Sequence, residues 1–117
     1  MKILIVGPMQ VPQVAEIKGD FNSMKAIIGD SLEIKFPFAD SVATICNGDW
    51  CDIGLPMTRK IFYGNHEVER IFGTFIVCGT SREDGHFRSL TDEQIEKYTN
   101  ELMPNDFNCK SDLIRPY

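Results

Sequence analysis

Residues 54–59, GLPMTR, are the most specific stretch of this sequence for binding chemistry. Arg59 can form two parallel hydrogen bonds to a phosphate or a carboxylate, and Thr58 and Asn47 offer further polar contacts. Loops that a rigid sheet holds in place are where binding residues concentrate. The stretch therefore predicts a loop that binds a small anionic ligand, with Arg59 as its main contact.

Aromatic residues flank this loop. Trp50, Phe62 and Tyr63 could stack on a base or pack against a partner protein. The predicted ligand contacts are Asn47, Trp50, Thr58, Arg59 and Tyr63. The alternative is a plain strand exit, in which proline forces an extended path and a mostly exposed arginine is solvated.

Catalytic residues are not predicted. A cysteine nucleophile would need a histidine base beside it, and His66 and His86 both lie in polar loop sequence. We interpret both as exposed loop histidines, although whether they meet in the fold stays open. Glu67 and Glu69 would point the same way on a strand without forming an acid–base pair. We therefore expect a protein that is not an enzyme.

The four cysteines are Cys46, Cys51, Cys78 and Cys109. Cys46 and Cys51, in C-x4-C spacing, could face each other across a hairpin, but the histidines do not follow in zinc-finger spacing. Nothing indicates secretion, so we predict reduced thiols that fill strand positions as small hydrophobes. We expect neither a metal nor a cofactor.

Charge and hydropathy limit the kinds of partner that this protein is expected to bind. The 117 residues carry 12 basic and 17 acidic side chains, a net charge of −5, which argues against a nucleic-acid polymer as the partner. No apolar run approaches the roughly 20 residues that span a bilayer. The opening MKILIVGP is too short for a signal-peptide core and predicts a first strand. We expect a cytoplasmic protein with no membrane partner.

The first half of the chain alternates strand and helix patterns. Apolar or alternating runs predict strands at residues 2–6, 11–17 and 32–38, and Pro12 confines the second to a strand start or a sheet edge. Residues 20–28 predict a helix with Asp20 as its N-cap and Gly29 as its C-terminal cap.

The middle of the chain predicts a central hairpin. Asn-Gly at Asn47-Gly48 follows the apolar run 41–46, and the strand would resume through Trp50 and Ile53. Residues 60–69 suggest a turn at Gly64-Asn65 after a short helix or an irregular loop. Residues 71–77 predict one strand, with Gly73 as a candidate bulge.

The last element is a helix with a capping box, in which Thr91 is the N-cap and Gln94 lies three residues later. Leu90 and Ile95 form a hydrophobic staple, and Ile95, Tyr98 and Leu102 form the buried stripe. We expect one α+β domain over residues 1–103, a mostly antiparallel sheet of about five or six strands with two helices packed on it. Residues 104–117 would be a C-terminal tail.

Four segments resemble a family of small domains encoded by phages and mobile elements of Gram-positive bacteria, domain of unknown function 3846. They are the MKILIV start, the CNGDWCDIGLPMTR hairpin, the GTFIVCG strand and the LTDEQIEKY helix. The resemblance implies the fold and a phage context, in which the expected cytoplasmic location would be the host cell cytoplasm. It implies no established activity.

Three functions compete. The first is a non-catalytic anti-defence protein that sequesters a small anionic ligand, such as a nucleotide immune signal. The second is an inhibitor or adaptor that presents an acidic surface to a host defence protein. The third is an enzyme acting on a nucleotide, which would need His66 and His86 to meet a carboxylate. A homo-oligomer is possible in each case.

Overall fold

The computed structural model describes residues 1–81 and 83–104 as an α+β fold with two helices and two antiparallel sheets. The main sheet holds six strands: β1 (Lys2–Val6), β2 (Gln13–Glu16), β3 (Leu32–Lys35), β4 (Val42–Asn47), β7 (Phe75–Thr80) and β8 (Phe87–Arg88). The small sheet is the hairpin of β5 (Met57–Tyr63) and β6 (His66–Phe72), and the helices are α1 (Phe21–Ile28) and α2 (Asp92–Glu101). The predicted fold class is confirmed.

The main sheet is the middle layer of the molecule. Its order is β2-β1-β7-β4-β3, with β8 also paired to β7, and every residue of β4 and β7 is buried. One face packs on α1 through Ile3, Met24 and Ile76. The opposite face packs on the small sheet and α2 through residues that include Ile61 and Tyr98. Burial on both faces explains the continuous apolar runs of the central strands.

Both helices begin as the sequence predicts, and α1 also ends at its predicted cap. In α1, the Asp20 carboxylate accepts a 2.8 Å hydrogen bond from the Ser23 N–H, and Gly29 is the C-cap. In α2, the capping box of Thr91 and Gln94 is complete. The predicted stripe of α2 is also confirmed, since Tyr98 and Leu102 are buried and Ile95 packs on the same cluster. Neither helix in the described part of the chain is long and apolar enough to cross a membrane.

The predicted hairpin at Asn47-Gly48 is wrong. β4 pairs with β3 on one side and β7 on the other, so no edge is left for residues 50–53. The Asn47 Oδ1 instead accepts a 2.7 Å hydrogen bond from the Asp49 N–H, which closes a side-chain turn as β4 ends. Residues 48–54 are turns that carry the chain to the small sheet.

The next predicted elements are also corrected. The turn at Gly64-Asn65 is confirmed, but strands β5 and β6 flank it in place of a short helix or irregular loop. The predicted strand 71–77 is divided between the two sheets at Gly73, whose φ of 75° suits glycine. The strands predicted at 11–17 and 32–38 are shorter than expected, as Gln13–Glu16 and Leu32–Lys35. The predicted tail lies outside the described residues, apart from Pro104.

Candidate functional site

Asn47 and Thr58 are buried and bonded to backbone. The Asn47 Nδ2 donates to the Ile28 carbonyl at 3.0 Å, where α1 ends. The Thr58 hydroxyl donates to the Gly73 carbonyl at 2.6 Å, across the entrance to the small sheet. Both side chains are less than a tenth exposed, so their polar atoms hold neighbouring segments together.

Arg59 is also internal, and the exposure predicted for it is wrong. Its side chain is 6% exposed. The Nε donates to the Leu102 carbonyl at 2.9 Å, and the Nη atoms donate to the carbonyls of Thr58, Gly7 and Gln10. Burial is tolerated because carbonyl oxygens satisfy the guanidinium N–H groups, and a cation is favourable at the C-terminal end of α2.

The two aromatic residues predicted to contact a ligand, Trp50 and Tyr63, lie in different environments. The Trp50 ring stacks on Phe72 with centroids 3.9 Å apart and planes 8° apart. Tyr63 is two-thirds exposed at the end of β5, beside the turn of the small sheet. The five predicted residues therefore divide into three internal side chains, one stacked ring and one exposed ring. Contact of these five with a ligand stays a prediction.

The described cysteines are free thiols in unlike environments. Cys46 and Cys78 are buried, and burial raises the pKa of Cys46 to about 11 and the pKa of Cys78 to about 12. Cys51 is exposed in the turns after β4, so the arrangement of Cys46 and Cys51 facing each other across a hairpin is wrong. Cys109 lies outside the described residues.

The two histidines belong to different elements. His66 begins β6, whereas His86 precedes β8 and donates its backbone N–H to the Asp84 carboxylate at 2.9 Å. Among residues 1–81 and 83–104, no group of three or more histidine, cysteine or carboxylate side chains could hold a metal ion.

A polar cleft lies where β4 begins, β7 ends and α2 begins. It consists of two adjoining hollows of about 360 and 380 Å³ that share Ser41, Thr80 and Ser81. The first hollow is also lined by Glu83, Arg88, Ser89, Thr91 and Gln94. The second is also lined by Phe36, Phe38, Asp40 and Gly85. Hydroxyls, one arginine, two carboxylates and two phenylalanines thus converge on one surface, which we call the hydroxyl cleft.

Hydroxyl hydrogens in this cleft are available to a ligand. The Ser89 Oγ accepts from the Lys2 N–H at 2.9 Å, and the Thr91 Oγ1 accepts from the Gln94 N–H at 3.1 Å. An oxygen that already accepts can still donate its own hydrogen. Thr80 is only 7% exposed, yet no hydrogen bond joins its hydroxyl to another side chain or backbone group of the described residues. The cleft therefore presents several donors.

Asp40 fixes one wall of the cleft. Its carboxylate accepts from the Ser41 N–H at 2.7 Å, from the Tyr98 hydroxyl at 3.0 Å and from the Gln94 amide at 3.4 Å. Burial disfavours the carboxylate, but these hydrogen bonds outweigh it and lower the pKa of Asp40. Burial and the nearby Asp40 raise the pKa of Tyr98. Asp40 therefore stays charged and ties α2 to the start of β4.

Sequence reasoning did not identify Ser41, Thr80 or Arg88 as site residues. Ser41 and Thr80 stand at the two ends of apolar runs, positions that usually mark strand ends, and Arg88 follows a polar loop sequence. Only the antiparallel pairing of β4 and β7, with the Thr80 N–H donating to the Ser41 carbonyl at 2.8 Å, brings the first two together. The capping box can be predicted from the sequence, but its position beside these strand ends cannot.

Comparison with known protein families gives one match. The model of one family, described as "Domain of unknown function (DUF3846)", matches residues 1–103. The chain belongs to this family. No curated protein and no solved structure matches the chain significantly. The DUF3846 match spans both sheets, both helices and every residue that lines the hydroxyl cleft.

Proposed function

We propose that this protein is a non-catalytic binding protein that holds a small anionic, nucleotide-like ligand in the hydroxyl cleft. The observation that carries the proposal is the buried Thr80 hydroxyl, which lines both hollows and has no hydrogen-bond partner among the described residues. A buried polar group without a partner costs about 1–3 kcal/mol, so a bound acceptor that satisfies it gains that energy.

The donors of the cleft suit a phosphate. The hydroxyls of Ser89 and Thr91 each accept from a backbone N–H, which leaves their hydrogens to donate outward. Arg88 adds a positive charge, and it forms no ion pair with the described residues. Hydroxyl and guanidinium donors recognise anionic oxygens more strongly than neutral ones.

The second hollow suits the rest of such a ligand. Phe36 is 65% exposed at its edge, where a flat aromatic base could stack on the ring. The Asp40 carboxylate, already charged, could accept hydrogen bonds from sugar hydroxyls. A phosphate near Arg88 and a base near Phe36 would place one molecule across both hollows.

Neither buried thiol lines the cleft or is suited to act as a nucleophile. Cysteine reacts as the thiolate, and burial raises the pKa of Cys46 and Cys78 to about 11 and about 12, so both are protonated at neutral pH. A ligand that is held and not consumed is sequestered. In the phage and mobile-element setting that the family resemblance implies, sequestration of a nucleotide immune signal would counter host defence.

Isothermal titration with ribonucleoside mono- and diphosphates, their nucleosides and inorganic phosphate tests the proposal. We expect a phosphorylated nucleotide to bind and its nucleoside to bind at least tenfold more weakly, because the charged contacts are lost. Thr80→Val keeps the side-chain shape but removes the donor, and a lost hydrogen bond to a charged group of roughly 1.5–3 kcal/mol weakens binding about tenfold or more.

Two controls accompany these variants. Thr99→Val changes a half-buried threonine of α2 that does not line the cleft, and Arg70→Ala removes an exposed arginine of β6. Both should bind like the parent protein, whereas Arg88→Ala should bind more weakly. If no member of the panel binds, or if Thr80→Val and Arg88→Ala bind as tightly as the parent, the cleft is not the ligand site.

A second function, an inhibitor or adaptor for a basic host protein, is favoured by one observation. The exposed surface of α2 carries the carboxylates of Asp92, Glu93, Glu96 and Glu101 against the single cation of Lys97. Such a surface would attract a basic partner, and the association would weaken as salt screens the charges. The double variant Glu93→Lys/Glu96→Lys should then abolish binding to the partner while nucleotide binding, if present, persists.

A further inference from the structure

The main sheet ends in two edge strands with different chemistry. The order β2-β1-β7-β4-β3 leaves β2 and β3 with one neighbour each among the described strands. An edge strand presents unpaired N–H and C=O groups that can pair with another chain, and proteins often block such edges with proline or charge. An edge is open to pairing where residues with both an N–H and a C=O point these groups away from the sheet, and it is blocked where proline takes such a position.

On β3, the outward groups belong to alternate residues. The Gly48 N–H donates to the Ser31 carbonyl at 2.9 Å, so Ser31 is a hydrogen-bonded partner of β4. Because hydrogen-bonded and non-hydrogen-bonded positions alternate in an antiparallel pair, Leu32 and Ile34 point their N–H and C=O groups away from β4. Phe36 continues this set just past the end of the strand.

On β2, proline interrupts the corresponding set. The Ile17 N–H donates to the Met1 carbonyl at 3.0 Å, so Val14 and Glu16 are the strand residues that point outward. The next outward position along the chain is Pro12, which has no N–H. A second strand could not complete its ladder there, whereas the edge of β3 from Leu32 to Phe36 contains no proline.

The β3 edge is complementary to itself. In an antiparallel pair of two β3 strands centred on Ile34, Ile34 lies opposite its own copy and Glu33 lies opposite Lys35 of the other copy. Leu32 then lies opposite Phe36 of the other copy on the apolar face. The charge pairing across copies adds to the ion pairs that Lys35 already forms within its own chain, at 3.3 Å to Glu33 and 2.9 Å to Glu69. The register also joins apolar side chains, of which Ile34 is 38% and Phe36 65% exposed.

We propose that two copies of this chain form a dimer by antiparallel pairing of their β3 strands, centred on Ile34. The pairing joins the two main sheets into one continuous sheet through the outward groups of Leu32, Ile34 and Phe36. It also covers the apolar side chains that the β3 edge leaves exposed. The occupant of the edge is a second copy because the sequence of β3 is complementary to itself in both charge and hydrophobicity.

The dimer and the proposed ligand share Phe36, but their other residues differ, so the two proposals can be tested separately. Phe36 lines the second hollow of the hydroxyl cleft, so the Leu32 side chain of the other copy would lie beside the cleft edge. Loss of the dimer would therefore change the edge of the cleft but not Thr80, Ser89 or Thr91. Oligomeric state and nucleotide binding are separate measurements, and each proposal can fail alone.

Sedimentation equilibrium of the full chain over a range of concentrations tests the dimer. We expect a mass of twice the 13.3 kDa chain that falls towards one chain on dilution. Ile34→Pro removes an outward N–H and leaves the β3–β4 hydrogen bonds intact, so this variant should be monomeric and folded. The matched control is Val14→Pro on β2, which also removes an outward N–H, and it should remain dimeric.

A second variant covers the case in which Ile34→Pro does not fold. Glu33→Lys places like charges opposite each other across the pair, so we expect at least a tenfold weaker dimer. The same charge change at Glu16, on the β2 edge, should leave the dimer unchanged. A parent chain that sediments as a monomer at every concentration overturns the proposal. So does a dimer that survives both Glu33→Lys and, where it folds, Ile34→Pro.

Discussion

The guanidinium of Arg59 reaches the end of α2, where its Nε donates to the Leu102 carbonyl across 2.9 Å. The same side chain also bonds the carbonyls of Gly7 and Gln10, in the loop after β1. Three segments that are distant in sequence, β5, the β1–β2 loop and the end of α2, therefore meet at one buried cation. This arrangement makes Arg59 a structural residue.

Arg59→Ala should destabilise the fold strongly. Hydrogen bonds to a charged group contribute roughly 1.5–3 kcal/mol each, and removal of the side chain also leaves buried carbonyls without donors, so we expect a loss of at least about 3 kcal/mol. Urea unfolding monitored by circular dichroism measures it. Arg70→Ala, which removes an exposed arginine paired with Glu67, should stay within about 0.5 kcal/mol of the parent. Equal stability of the two variants would contradict this role.

The sequence predicted correctly those features that depend only on residues close together in the chain. The capping box of Thr91 and Gln94 and the N-cap Asp20 satisfy backbone groups within three residues, so sequence spacing alone determines them. The hairpin at Asn47-Gly48 failed because β4 already has a neighbour on each side, and pairing between distant strands leaves no local pattern. Arg59 was misjudged for the same reason, since its partners lie 43 to 52 positions away, apart from Thr58.

A side chain at Gly73, where the chain crosses from β6 to β7, should destabilise the fold. Its φ is 75°, and a Cβ there would lie 2.6 Å from the Leu55 Cδ1. Gly73→Ala should therefore lose about 1–2 kcal/mol from backbone strain, and the Leu55 side chain must also move aside for the added methyl group. Thermal unfolding checks the loss.

Gly64→Ala is the matched control for that substitution. Gly64 has a φ of 62°, and nothing lies within 4 Å of a Cβ built there, so only the backbone strain should appear. In addition, Leu55→Ala combined with Gly73→Ala should lose less than the sum of the two single variants, since the contact is then absent. If Gly73→Ala and Gly64→Ala lose the same free energy, the contact with Leu55 is unimportant.

Asp40 should contribute to the loss of stability in acid. Its folded-state pKa is lowered by the hydrogen bonds from Ser41, Tyr98 and Gln94, which prevail over burial. A carboxyl with a lowered folded pKa stabilises the fold above its unfolded pKa, 3.8 for an ordinary aspartate, and that stability is lost as pH falls through the folded value. Asp40→Asn should therefore be less stable than the parent at pH 7, with the difference shrinking below about pH 4.

Urea unfolding at a series of pH values between 2 and 7 measures this difference. Asp84→Asn is a useful comparison, because the pKa of Asp84 is also lowered, first by the His86 N–H, but its carboxylate is exposed in the loop before β8. The pH-dependent part of its effect should be smaller than that of Asp40→Asn. A difference between parent and Asp40→Asn that stays constant from pH 2 to pH 7 would show that Asp40 does not stabilise the fold through its charge.

The cysteines should differ sharply in reactivity. The thiolate is the reactive form, and burial raises the pKa of Cys46 to about 11 and of Cys78 to about 12, while Cys51 is exposed. Iodoacetamide at pH 8 should therefore modify Cys51 in the native protein well before Cys46 or Cys78. Peptide mapping by mass spectrometry assigns each site, and Cys51→Ser should remove that early modification without changing the rates at Cys46 and Cys78.

Denatured protein prepared without reductant should then yield four free thiols, one for each cysteine of the sequence. A native rate at Cys78 equal to that at Cys51 would mean that β7 opens readily to solvent, because a thiol at the centre of the main sheet reacts only when the surrounding strands separate.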